Sequence, residues 1–391
     1  MPKKGNNEGS IYKDKQGHWR GVVTLYTVDG KQKKKFFYGK TKKEVTEKVN
    51  QALSELRSNT YIEPSKMTFY EWLCTWLETY CKNNLRATTL INYETYIHRH
   101  IQPTIGGVKL CNLTTLILQQ FYNDRIKNGN LTKQGGLSPK TMRNMHNMIH
   151  KALEQAVALD MIAKNPSDYA TLPKRIKQER KFFTVEEQQQ LQACLKGEKM
   201  EMPILLDLYT GMRQAELLGL MLKDVHIDLD GQSYIRVTQT LNRIKVDGQE
   251  NGKRTALVIG IPKTPHSIRN IPLLPEIAQT LEDYRISQMA YFQEKGIKPN
   301  GYVFTNDNGG FIDPRNFQQS FKRLLKRHGI REINVHGIRH TFATRAIESG
   351  MSMKTLSQIL GHSSTSFTMD IYGHVTDDLK STEISHLQGF L

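Results

Sequence analysis

At 391 residues the chain is long enough for two or three domains, and its 55 Lys+Arg against 38 Asp+Glu give a formal charge of +17. That excess favours a polyanionic partner, and nucleic acid or an anionic membrane are the usual ones. No apolar run approaches the ~20 residues of a membrane span, "MPKKGNNEGS" leads into no secretory apolar core, and Cys74, Cys81, Cys111 and Cys194 lack metal-site spacing. The reading is a cytoplasmic protein with reduced thiols, no metal and a nucleic-acid partner.

Residues 1–60 carry 14 Lys/Arg and 6 Asp/Glu. Within them "GSIYKDKQGHWRGVVTLYTVDGKQKKKFFYGKT" alternates polar with β-branched or aromatic residues, with turn signals at "DKQG" and "VDGK". This predicts three strands joined by two hairpins. "KTKKEVTEKVNQALSELRS" follows with helical spacing of Val45, Val49, Leu53 and Leu56. Aromatic residues among Lys33, Lys34 and Lys35 suit a small DNA-binding module, although a basic solubilising extension has the same composition.

Residues 66–168 read as a helical domain. "MTFYEWLCTWLETYC" sets Phe69, Trp72, Leu73, Trp76 and Leu77 on one face, and "RATTLINYETYIHRHIQPTIG" predicts a Thr-capped helix stopped by Pro103 and Gly106. "TTLILQQFYNDRIKNG" is a third helix, ending at Gly129. "SPKTMRNMHNMIHKALEQAVALDMI" is a fourth, with Ser138 as cap and Pro139 in the first turn. Arg86 and Thr88, like Lys140, Arg143 and Asn147, occupy early helical turns where they suit phosphates and base edges; a solvated face reads the same way. Residues 169–181 form a Pro-containing basic linker in which Lys174, Arg175 and Lys177 suit a DNA backbone.

The remainder opens with the Thr-capped "TVEEQQQLQACLKG". Arg213 then stands inside an apolar run, "MPILLDLYTGMRQAELLGLML", with Glu216 three residues on. A guanidinium stays charged, so away from water it needs an anion, either a carboxylate of the same chain or one from outside. Further along, "IPKTPHSIRNIPL" sets Lys263 in an expected β-hairpin whose second strand is "RNIPL". Lys245 and Lys253 lie nearby. "HGIRHTFATRAI" carries His336 and Arg339, "LGHSS" carries His362, and Tyr372 follows ten residues later. Each alone has an ordinary structural reading.

The order of the set resembles the tyrosine recombinase (phage integrase) family, in detail over about residues 180–380. The resemblance implies a multidomain α+β chain. Its parts would be an arm-type DNA-binding domain over 1–62, with a three-stranded sheet and a helix, and a helical SAM-like core-binding domain over 66–168. After the linker would come a mixed, mostly α catalytic domain with a small β-sheet over 182–391, ending in a C-terminal tail. It implies an active site of Arg213, Lys263, His336, Arg339, His362 and the nucleophile Tyr372, supported by Glu216. Tyr372 would form a 3′-phosphotyrosine, His336 would take its proton, Lys263 would protonate the leaving 5′-oxygen and His362 would donate to the phosphate. Neither ATP nor a cofactor is needed, because the covalent bond keeps the phosphodiester's energy. The implied partners are double-stranded DNA with core- and arm-type sites, three further copies in a tetramer, an excisionase and a host DNA-bending protein. The setting would be a bacterial nucleoid. A dimer resolvase of the same family and a DNA-binding regulator without catalysis are the alternatives.

Overall fold

The computed structural model describes residues 9–28, 31–57, 66–174, 181–228, 230–245, 255–262, 267–362, 364–366, 368–369 and 372. The chain divides into two compact units, Met1–Ile176 and Lys177–Leu391. No helix among the described residues is long and apolar enough to cross a membrane.

The first unit contains two separate apolar cores. Strands β1 (Ser10–Lys13), β2 (Trp19–Val28) and β3 (Lys31–Gly39) form an antiparallel sheet in that order, as their alternation predicts. Helix α1 (Lys42–Arg57) packs Val45, Val49 and Ala52 against Val23 on one face. The pairing rows Tyr12–Arg20–Tyr38 and Val22–Phe36 belong to the other face, because successive side chains alternate. There the Arg20 guanidinium lies 4.4 Å from the Phe36 ring and 5.1 Å from the Tyr38 ring.

The second core is built by α2 (Phe69–Trp76), α3 (Ala87–Thr95), α4 (Thr115–Asn128) and α5 (Pro139–Ala158). The spacing in "FYEWLCTW" buries Phe69, Trp72, Leu73 and Trp76, and the Trp72 indole donates to the Ala152 carbonyl at 2.9 Å. Ser138 caps α5 and Gly129 ends α4, as read from the sequence. Two details differ. Helices α2 and α3 each run on into a π-type turn, Leu77–Cys81 and Tyr96–Ile101. The cap position of α3 is Arg86 with no side-chain cap bond, so the expected Thr cap is absent; Thr88 already lies inside the first turn.

The second unit opens with α6 (Val185–Leu195), α7 (Glu201–Thr210) and the short α8 (Gln214–Leu217). Strands β4 (Val225–His226), β5 (Tyr234–Val237), β6 (Thr240–Lys245), β7 (Thr255–Gly260) and β8 (Arg269–Pro272) come next. Helices α9 (Pro275–Glu294), α10 (Pro314–Arg327), α11 (His336–Glu348) and α12 (Met353–Leu360) complete it. The strands form two sheets, β4-β5-β8 and the hairpin β6-β7. "RNIPL" therefore does not pair with the strand just before it: β8 lies on β5, with Ile271 opposite Ile235. Buried Ile235 and Ile271 need the apolar core beneath them, which the more exposed hairpin does not offer. Leu217, Leu218, Leu281, Phe304, Phe321 and Ile338 belong to that core. Helix α11 runs through it, with Ile338, Thr341 and Ala343 fully buried.

Candidate active site

Two helix ends prepare the site. Helix α7 stops at Gly211 (φ 58°) and α12 at Gly361 (φ 63°), both left-handed. A Cβ would lie 2.3 Å from the Phe342 ring in the first case and 2.9 Å from Arg269 Nη1 in the second, so only glycine fits either position. A helix C-terminus leaves carbonyls without intrahelical donors and carries partial negative charge, which suits a guanidinium.

Both predicted arginines use those ends. Arg339 is 2% exposed; its Nη1 donates to Gly211 O and its Nη2 to Leu360 O, each at 2.8 Å. Arg213, at the cap of α8, donates through Nη2 to Gly361 O at 3.1 Å. The two guanidiniums thus hold consecutive carbonyls, 360 and 361, of one helix end. Burial, and next the like charge of Arg213, lower the Arg339 pKa to about 9, which leaves it protonated at neutral pH.

Glu216 answers the charge from within. Its Oε1 accepts from Arg213 Nη1 at 2.7 Å, and its Oε2 accepts from the Arg213 backbone N–H at 3.0 Å and from Arg269 Nη2 at 2.9 Å. Burial works against its ionisation, but Arg269 and then Arg213 outweigh it and hold the carboxyl below its usual range. Arg269, on β8 with its side chain 7% exposed, also donates to the carbonyls of Ser267 at 3.0 Å and of Ile359. Arg269 carries little signal in the sequence. Its one signal was an arginine inside the short strand pattern "SIRNIPL".

His362 follows Gly361. Its Nε2 lies 2.8 Å from Arg339 Nη2 and its Nδ1 2.8 Å from Thr368 Oγ1. A guanidinium only donates, so Nε2 accepts and the proton sits on Nδ1, donated to Thr368. Tyr372 is 3% exposed and packs with Ala343, Ala346, Leu356 and Leu360. Its hydroxyl lies 2.7 Å from Nδ1 of His340, the second histidine of "HGIRH", to which the sequence alone assigns no role. His336 is exposed at the start of α11, with its ring edge-on to His340 at 4.7 Å between centroids. Asp207, 1% exposed on α7, has an Oδ1 with no hydrogen-bond partner among the described residues, and burial pushes its carboxyl well above the usual range. Arg213, Glu216, Arg339, His362 and Tyr372 are therefore brought together. Lys263 lies outside the described residues.

In the first unit Arg86, Thr88, Lys140, Arg143 and Asn147 are exposed, with Arg143 Nη2 donating to Pro173 O at 3.4 Å. Strand alternation separates the three lysines. Lys34 stands opposite Thr24 on the face away from α1, whereas Lys35 stands opposite Val23 with its Nζ 5.4 Å from the Phe37 ring. Lys33 is exposed opposite Tyr26, and Lys174 is exposed at the end of the described linker. Arg175, Lys177 and the tail lie outside the described residues.

Paired guanidiniums beside a tyrosine hydroxyl and histidines are equipment for phosphoryl transfer to a phenol. Comparison with known proteins specifies the class. The phage integrase family model matches residues 181–378, and the model of the phage integrase N-terminal SAM-like domain matches residues 68–125. A tyrosine recombinase XerC-like protein of Caldanaerobacter subterraneus subsp. tengcongensis is 30% identical over 99% of this chain and 99% of its own length. The Tn1549 transposon integrase, solved in complex with a circular intermediate DNA, superposes with a TM-score of 0.66 at 25% identity, covering 82% of this chain and 100% of that one. A lambda integrase tetramer bound to a Holliday junction shares the fold, with a TM-score of 0.55 at 17% identity over 95% and 97% of the two chains. The chain belongs to the phage integrase family. It is a tyrosine site-specific recombinase of the integrase kind.

Proposed function

We propose that the chain cuts and rejoins double-stranded DNA at the attachment sites of a prophage or integrative element, through a 3′-phosphotyrosine at Tyr372. The observation that carries this reading is the convergence of Arg213 and Arg339 on carbonyls 361 and 360, in the unit that also holds the Tyr372 hydroxyl. Attack on a phosphodiester builds extra negative charge on the non-bridging oxygens, and two guanidiniums fixed in advance stabilise it without reorganising. The bond from Tyr372 Oη to phosphorus forms as the bond to the 5′-oxygen breaks. Lys263 supplies the leaving oxygen's proton, and His336 belongs to the catalytic set. A 5′-hydroxyl from another strand then reverses the step and joins new partners.

Recombination of two duplexes takes four cleavages, so the working assembly is a tetramer on a Holliday junction, the arrangement in which lambda integrase has been solved. Residues 1–62 bind arm-type sites, where the sheet face bearing Tyr12, Arg20, Lys34, Phe36 and Tyr38 combines charge with rings. Residues 66–168 and the linker grip the core site through Arg86, Thr88, Lys140, Arg143, Asn147, Lys174, Arg175 and Lys177. The test is Arg213→Ala on a nicked duplex carrying the attachment site. Cleavage should disappear while DNA affinity, spread over many phosphate contacts, stays nearly unchanged. Cleavage at the wild-type rate refutes the reading.

A further inference from the structure

We infer that His340 is a further catalytic residue, the group that takes the proton of Tyr372 as its oxygen attacks phosphorus. This rests on the reading of Tyr372 as nucleophile and deepens it, since the resemblance gives that task to His336. The geometry favours the deeper histidine. His340 Nδ1 lies 2.7 Å from the Tyr372 hydroxyl. His340 is 7% exposed and Tyr372 3%, so bulk water does not compete well for the phenol's proton. His336, one helical turn earlier and exposed, meets the ring of His340 edge-on at 4.7 Å between centroids, and the ring of His340 meets that of Tyr372 at 5.7 Å.

A phenol ordinarily ionises near pH 10, so at neutral pH it attacks only with a base in reach. To accept at Nδ1, His340 must be neutral with its own proton on Nε2. In the step, the Oη–H bond breaks as Nδ1–H forms, Oη bonds to phosphorus, and the 5′-oxygen leaves with a proton from Lys263. Religation runs backwards: the 5′-hydroxyl gives its proton to Lys263 and bonds to phosphorus as the Oη–phosphorus bond breaks, and Nδ1–H returns its proton to Oη. His336, exposed at the start of α11, stays in the catalytic set.

Two substitutions separate a base from a mere anchor. His340→Asn keeps an acceptor oxygen near the Nδ1 position but cannot take a proton; His340→Phe keeps a ring and removes both functions. The assay is single-turnover formation of the covalent adduct by the full chain, on a nicked duplex whose attachment sequence has been selected from DNA fragments bound by that chain. Both variants should be slowed by about 100-fold or more at unchanged DNA affinity. Replacing Tyr372 by a fluorotyrosine of more acidic phenol should then recover most of the loss, because a readily ionised phenol needs less help. Wild-type speed in His340→Asn, or a loss that phenol acidity does not change, overturns the inference.

Should both variants fail to fold, fluorotyrosines in the His340 protein decide. Removal of the proton by a base during attack predicts a shallow dependence, with rates within about fivefold across the series, whereas a rate that climbs steeply and continuously with phenol acidity means that the phenol ionises beforehand without that base and overturns the inference. Tyr372→Phe is run alongside: an adduct that survives it removes the reading of the nucleophile itself, which is a different failure.

Discussion

Glu216→Gln tests the electrostatic frame. The carboxylate is 2% exposed and accepts from Arg213 twice and from Arg269 once. Glutamine has the same shape, but it turns one acceptor oxygen into an N–H₂ group facing guanidinium donors and leaves two positive charges without a counter-charge. Removing one partner of a buried ion pair costs about 3–5 kcal/mol. The lower end applies here, because the Arg213 side chain is 37% exposed and water screens part of its charge. About 3 kcal/mol in a domain of this size lowers the melting temperature by roughly 6–12 °C. The pH dependence has a definite sign. Glu216's carboxyl is held below its ordinary 4.5 in the folded chain, so its contribution is complete above about pH 4.5 and is lost as pH falls through the folded value. Thermal unfolding of the full chain should therefore show a wide gap between Glu216→Gln and wild type at pH 7, narrowing at pH 4 and below. A gap under about 2 °C at pH 7, or one that widens in acid, refutes the reasoning.

Three further outcomes follow from the same geometry. Asp207 has its carboxyl raised in the folded chain, so stability falls as pH climbs from 3.8 towards the folded value; Asp207→Asn should gain more melting temperature over wild type at pH 8 than at pH 4, and an equal gain at both contradicts this. Thr368→Val removes the acceptor that fixes the proton on His362 Nδ1, so single-turnover cleavage should drop roughly tenfold and Thr368→Ser should restore it; equal rates for valine and serine count against it. Deleting residues 1–62 should weaken binding to arm-type DNA and flatten its salt dependence, measured by titration at several salt concentrations, and unchanged slopes contradict the assignment.

What the sequence disclosed follows the range of the interactions involved. The caps Ser138 and Thr184, the stop at Gly129 and the amphipathic face of α2 are local, and spacing alone located them. Arg213, Glu216, Arg339, His362 and Tyr372 were singled out because the order of their motifs resembles the phage integrase family; taken one at a time, each had an ordinary structural reading. Arg269 was not, since it reaches Glu216 from 53 residues away, through strand β8, whose partner β5 is distant in the chain. The same long-range pairing explains why "RNIPL" was misplaced in a hairpin. His340 was overlooked for another reason. On a helical repeat it is one more buried residue, and only the position of Tyr372 gives it a task.

The central claim is that one phenol in this chain becomes bonded to DNA. The most direct measurement is mass spectrometry of the covalent complex trapped on a nicked attachment-site duplex, after digestion of protein and DNA. The peptide bearing the nucleotide should be the one containing Tyr372, linked through its side-chain oxygen to a 3′-phosphate, and no adduct should form with Tyr372→Phe. A nucleotide on any other residue, or a 5′-phosphate linkage, contradicts the account.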